Sequence, residues 1–211
     1  SIVFFVLKKK ATRAVYFNCD GEGADTYRLM FRAMKTYKIS KEILLKVLKL
    51  FDDKIQSLEM MDEKHYKLTY QDRVKELSDS ELVYMLSSGT TKGILFYIFV
   101  VAALENGFDL LIDEVENHFH KTLVENMISL FKDKTVNKKS ATLVFTTHYC
   151  EVLDLFNRQD NIWIAKSDNK IRLDNMYETY NIRSELLKSR QFYNNAFDTS
   201  VNYEDLMALK K

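Results

Sequence analysis

A long apolar stretch, Ile94 to Leu104, closes at Glu105-Asn106-Gly107 and gives way at once to a second apolar run, Phe108-Asp109-Leu110-Leu111-Ile112. The first reads as a helix ended by a glycine, which takes the left-handed C′ position without a Cβ penalty. The second reads as a buried strand with apolar residues on both faces, the kind used in parallel sheets. It ends in two acids, Asp113-Glu114. Farther on, Leu143-Val144-Phe145-Thr146-Thr147-His148 is another β-branched and aromatic run with strand character. From Thr91 onward the chain alternates helix, strand, helix, strand, and that rhythm predicts an α/β fold with a mostly parallel sheet flanked by helices.

Open α/β sheets bind ligands beyond the carboxyl ends of their strands. Asp113 there can hold Mg²⁺, and Glu114 can orient or deprotonate a water. A neutral His148 can accept a hydrogen bond from an attacking water and donate one to a γ-phosphate. Each signal has a plain counterpart: acids often end strands for solubility alone, and a lone His after a strand is usually a satisfied polar residue. Upstream, Leu86-Ser87-Ser88-Gly89-Thr90-Thr91-Lys92 opens the apolar helix. Unpaired amides at such a start, with hydroxyls and a Lys nearby, make a ready anion site. An ordinary N-cap with a glycine for the tight turn has the same composition.

The 211 residues suffice for one ordinary domain with a buried core, and a hydrophobic content of 46% excludes a disordered chain. A net charge of +1 gives no global attraction to nucleic acid or membrane. Lys8-Lys9-Lys10 reads as a solvated hairpin turn. Cys19 and Cys150 form neither a disulfide framework nor a metal spacing, so a reducing, cytoplasmic compartment is the expectation. Ile94–Leu104 is too short to span a bilayer, and no membrane partner is expected. Proline is absent.

Three segments are expected: residues 1–86 as an N-terminal β-hairpin and helical lobe, 87–176 as the core, and 177–211 as a helical tail. Ile2–Leu7 and Ala14–Phe17 form the hairpin, followed by a loop at 19–25. From there to Leu86 the pattern reads as helical. Ile43, Leu44, Val47, Leu48 and Phe51 recur at helical spacing behind an N-cap at Ser40. The alternating charges of Met60–Lys75 read as exposed helix or connecting loop, and Ser78 with Glu81 forms a capping box. Further helices are expected at His120–Lys132, Cys150–Phe156 and Asn181–Ser189, with a hairpin pairing Asn161–Ala165 and Ile171–Leu173.

The order Ser-Ser-Gly-Thr helix start, strand with Asp-Glu, strand with Thr-Thr-His resembles the second half of an ABC-type ATPase head. It is closer still to the AAA-family ATPases of abortive-infection and overcoming-lysogenization-defect type. Val47-Leu48-Lys49-Leu50-Phe51-Asp52-Asp53-Lys54-Ile55 is similar to the family's leucine-rich helix and its Phe-Asp-x-x-Ile continuation. Glu116-Asn117-His118-Phe119-His120 matches the segment after the Walker B acids, and Arg158-Gln159-Asp160-Asn161-Ile162-Trp163 resembles the start of a later family strand. The likeness runs from about Leu44 to the C-terminus.

The resemblance implies a partial ABC-ATPase-like head that works with ATP and Mg²⁺ as a head-to-tail homodimer. Asp113 would hold the metal, Glu114 would act on the water, and His148 would contact the γ-phosphate. Ser87, Ser88, Gly89 and Thr90 would reach a nucleotide held by the second head. Phage defence or DNA-linked signalling is the implied setting, with a separately encoded effector as a partner and DNA as another. The chain departs from the family in three places. No Gly-x-x-x-x-Gly-Lys-Ser/Thr loop occurs, Ser88 stands where many relatives have Gly, and Lys121 follows His120 where Pro is usual. The sequence therefore reads as the C-terminal portion of a longer ATPase, inactive alone. Two other classes compete: a metal-dependent hydrolase or nuclease using Asp113, Glu114, Glu116, His118 and His120, and a non-catalytic assembly module.

Overall fold

The computed structural model describes residues 4–5, 14–18, 26–116, 119–167, 170–183 and 185–199, and the chain divides into two compact units, residues 1–147 and 148–211. It is a mixed α/β protein. In the first unit β1 (Phe4–Phe5) pairs antiparallel with β2 (Ala14–Asn18), as the expected hairpin requires. The lysine turn between them, and the loop at 19–25, lie outside the described residues. Helix α1 (Thr26–Tyr37) buries Tyr27, Met30, Ala33 and Met34 on one face. Helix α2 (Lys41–Phe51) starts at Ser40, whose hydroxyl accepts the Ile43 amide, and buries Leu44, Val47 and Leu48.

The lobe expected to be helical up to Leu86 is instead part helix and part sheet. Residues 55–78 form an antiparallel sheet, β3 (Ile55–Met60), β4 (His65–Tyr70) and β5 (Arg73–Ser78), in that order. Tyr66 and Leu68 are fully buried while their neighbours face outward, the period of two that defines a strand. The β4–β5 turn is Gln71-Asp72 with φ of 48° and 60°, a pair of left-handed residues that closes a two-residue hairpin without any glycine. That missing glycine is why charge alternation masqueraded as exposed helix.

The capping box forms as read. Ser78 accepts from the Glu81 amide, Glu81 accepts from the Ser78 amide and hydroxyl, and α3 (Asp79–Leu86) follows. Those two bonds, the amide foremost, hold the Glu81 carboxyl below its usual range. Helix α4 (Ser88–Asn106) is the centre of the unit, packing on α1, α2 and α3 and ending at Gly107, whose φ is 71°. By length and hydropathy α4 passes as a membrane span, longer than the run Ile94–Leu104 suggested, yet 67% of that window is buried inside the unit as in a core helix. Aromatic pairs set the interior around it: the Tyr37 ring of α1 lies tilted at 4.9 Å from Phe108, and Phe96 of α4 at 4.6 Å from Phe119.

Strand β6 (Asp109–Asp113) leaves Gly107 directly, with Leu110 and Ile112 buried. It lies between β2 and β7 (Leu143–Phe145), parallel to both, in the order β1-β2-β6-β7. The crossover from β6 to β7 carries α5 (Lys121–Lys132), which His120 caps. Burial pushes the Tyr97 phenol up to about 12, and its proton is donated to the Leu123 carbonyl at 2.7 Å, tying α5 to α4.

The second unit holds a 3₁₀ turn (Cys150–Leu155), the hairpin β8 (Trp163–Ser167) and β9 (Ile171–Asn175), and helices α6 (Met176–Thr179) and α7 (Lys188–Tyr193). Ile162, Ile164, Met176 and Phe197 form its core. The hairpin is the expected one, but the helix expected over Asn181–Ser189 is displaced. Asn175 caps α6 early, and α7 starts late because Asp154, 35 residues upstream of Ser189, accepts the Ser189 amide. The N-cap residue, Leu187, has no side-chain oxygen, and no local pattern announces an acceptor supplied from so far away.

Candidate functional site

The two parallel neighbours of β6 bring one side chain each to Asp113, the last residue of β6. The Thr146 hydroxyl, just past β7, donates to Asp113 Oδ1 at 2.6 Å. The Tyr16 hydroxyl of β2 donates to Oδ2 at 3.2 Å. Thr146 Oγ1 also accepts the Glu114 amide at 2.7 Å, so one hydroxyl joins the two acids. The backbone continues the same ladder, Thr146 N donating to the Ile112 carbonyl and Val115 N to the Thr146 carbonyl, both at 3.0 Å.

Glu114 has φ of 48°, in the left-handed region that costs a non-glycine residue roughly 1 kcal/mol or more. The strand ends there and the chain turns sharply, which takes the Glu114 side chain off the alternation of β6. The strain persists because Thr146 holds the amide on one side and the Val115 bond fixes the other. Asp113 is exposed and Glu114 half-buried, so the pair is reachable from solvent.

Ser87, Ser88, Gly89 and Thr90 form the tip of α4. Ser87 is the N-cap, its hydroxyl accepting the Thr90 amide at 3.2 Å. Its backbone, φ 68° and ψ 154°, lies in a region reached almost only by glycine. Thr91 secures it: the Thr91 hydroxyl donates to the Ser87 carbonyl at 2.8 Å and, its proton thus committed, accepts from Tyr27 at 2.8 Å. Burial raises the Tyr27 phenol above its ordinary value and keeps it a donor. Ser88 and Gly89 sit in the first turn, where helical geometry gives an amide no acceptor. The 19 residues of α4 make a helix about 28 Å long, against about 17 Å for the five-residue strand β6 that follows Gly107.

His148 opens the second unit, two residues past Thr146, and is exposed. His120 is committed to capping: its Nδ1 accepts the Thr122 amide at 3.3 Å, which leaves the proton on Nε2. His118 lies outside the described residues, and among those described no three His, Cys, Asp or Glu side chains gather as a metal set. Tyr16 and Thr146 as partners of Asp113 were not legible beforehand. Thr146 stood inside a recognised run, but its role depends on register between β6 and β7, and that of Tyr16 on β2 lying parallel to β6.

Replacing Thr146 with Val is expected to leave the Glu114 amide and Asp113 Oδ1 without their shared partner, at a cost of about 1–2 kcal/mol. Hydrogen exchange at the Glu114 amide should accelerate at least tenfold, and Thr146→Ser should restore protection. Unchanged exchange in the valine variant contradicts the clamp. No protein-family model matches this chain, and no curated protein matches it significantly.

Proposed function

We propose that this chain forms part of a Mg²⁺-dependent ATP-hydrolysing head of ABC type, close to the abortive-infection and overcoming-lysogenization-defect ATPases, that acts as a nucleotide-sandwiched pair. The observation that carries the reading is the hydroxyl of Thr146 binding Asp113 and Glu114 together at the carboxyl end of a parallel sheet. Each Asp113 oxygen holds one protein hydrogen bond and keeps a lone pair outward, which suits a hard cation that takes one or two carboxylates and completes its shell with phosphate and water. When bound, Mg²⁺ offsets the charge that develops on the transferring phosphoryl group.

In this reading Asp113 holds the metal, and Tyr16 and Thr146 fix the carboxylate that does so. Glu114 orients the attacking water and takes its proton. The amides and hydroxyls of Ser87–Thr90 meet the γ-phosphate of a nucleotide on the opposing head, as the resemblance implies. The role of His148 at the γ-phosphate, and the setting in phage defence or DNA-linked signalling, rest on the resemblance alone. The phosphate-cradling loop must come from polypeptide outside these 211 residues, since no Gly-x-x-x-x-Gly-Lys-Ser/Thr is present in them.

The chain alone is therefore expected to release no phosphate from ATP. Joined to or mixed with a polypeptide carrying that loop, it should hydrolyse ATP in a Mg²⁺-dependent way, read by phosphate release with and without EDTA. Robust turnover by the chain alone would overturn the division of labour. Stoichiometric zinc or manganese binding without nucleotide would instead favour the metal-dependent hydrolase.

A further inference from the structure

The antiparallel sheet stops at β5, and among the described residues nothing pairs with the outer edge of Arg73–Ser78. Beside that edge lies an open groove of about 440 Å³, lined by Lys75 and Leu77 of β5 and by Ser80, Glu81, Tyr84 and Met85 of α3. Cross-strand register puts Lys75 beside Leu68 and Leu77 beside Tyr66, so Arg73, Lys75 and Leu77 continue the face whose centre is buried. Val74 and Glu76 occupy the other face. Two large side chains flank the edge in water: Tyr84 is 92% exposed and Val74 57%. Groove, open outer edge and exposed aromatic coincide among the described residues, and backbone pairing is what an open edge offers a ligand.

A second copy of the chain is a poor occupant. A two-fold antiparallel pair that keeps both buried faces on one side must match residues of equal parity. The two such registers that overlap five residues set Lys75 against Lys75 or Glu76 against Glu76. Like charges directly opposite are destabilising. The charges that forbid self-pairing nevertheless specify a different strand. Opposite Arg73 and Lys75 it needs acids, opposite Glu76 a base, and opposite Val74 and Leu77 apolar side chains. Glu81 stays an anion, but the Ser78 amide at 2.8 Å and hydroxyl at 2.7 Å hold its carboxylate on the cap of α3, so it is not among the β5 residues that lie opposite an added strand.

We propose that β5 is a docking edge for an extended segment of another polypeptide, which adds as a fourth antiparallel strand with an acidic residue opposite Lys75 and an apolar one in the groove beside Tyr84. This site is independent of the reading given to Asp113 and Glu114. The probe is a fluorescent, end-blocked peptide Thr-Val-Lys-Glu-Val-Asp, whose fourth residue falls opposite Lys75, titrated into the whole chain. Saturable binding with a Kd on the order of 0.1–1 mM is expected, as befits a short unstructured strand, with slowed amide exchange confined to β5.

A second peptide with Lys at the fourth position should bind about fivefold more weakly. Lys75→Glu should reverse that preference, and Tyr84→Ala should weaken both peptides; both side chains stand at the surface edge, and unchanged thermal melts verify the fold. Equal binding of the two peptides, protection outside β5, or a self-associated chain joined through β5 would each overturn the proposal.

Discussion

In an assembly that carries the phosphate-binding loop, replacing Glu114 with Gln is expected to slow ATP turnover by about 10³-fold while leaving ATP-driven pairing of heads intact. The substitution is nearly isosteric, so the left-handed turn at φ 48° and the 2.7 Å bond from its amide to Thr146 survive. What disappears is the carboxylate to which the proposed function assigns the proton of the attacking water. The nucleotide contacts proposed for Asp113 and for the α4 tip would remain, and on that proposal they govern association rather than the chemical step. Phosphate release should therefore collapse while a long-lived ATP-bound pair accumulates in light scattering. Wild-type turnover in the variant would remove Glu114 from the chemistry.

Phe96→Ala is expected to cost about 3–5 kcal/mol, the range for deleting a fully buried aromatic ring. Phe96 is 1% exposed and packs its ring at 4.6 Å against Phe119 and at 5.6 Å against Tyr97. The Phe119 amide donates to the Glu116 carbonyl at 3.2 Å, so this stack also pins the segment that leaves Asp113-Glu114. Thermal melting should fall by about 10 °C for a unit of this size, and exchange around residues 113–116 should quicken with it. A shift under about 2 °C would mean that the ring's cavity is refilled and the segment is held by other contacts.

Elements fixed by local rules could be read from the sequence. The Ser40 cap, the Ser78–Glu81 box and the Gly107 terminus each need only residues within a few positions of each other, and all three form. The parallel β6–β7 pair was legible because buried strands separated by a helix have few other ways to hide both faces. Residues 55–78 were not, because their turn uses Gln71-Asp72 in place of a glycine and their outward charges alternate as an exposed helix does. The start of α7 was hidden for a different reason: its N-cap, Leu187, offers no side-chain oxygen, and Asp154, which accepts the Ser189 amide in the first turn, comes from a distant segment.

The candidate site divides the same way. Asp113, Glu114 and the Ser87–Thr90 tip are recognisable because residue type and position relative to an apolar run suffice to single them out. Their supports are tertiary. Tyr16 reaches Asp113 only through the β2–β6 register, and Tyr27 reaches the α4 tip through Thr91 across 64 residues of chain. Nor does sequence reveal that both Ser87 and Glu114 adopt left-handed backbones, since neither is a glycine. Strain of this kind is retained where the surroundings hold it, and here each strained residue has a threonine hydroxyl on its backbone.

The most direct measurement is Mn²⁺ binding, followed by electron paramagnetic resonance, in the loop-bearing assembly with a slowly hydrolysed ATP analogue. One tightly held ion per head is predicted, with affinity falling at least tenfold in Asp113→Ala and little changed in Glu114→Gln. Equal Mn²⁺ affinity in the wild type and in Asp113→Ala would contradict the assignment of this strand end as the metal–nucleotide site.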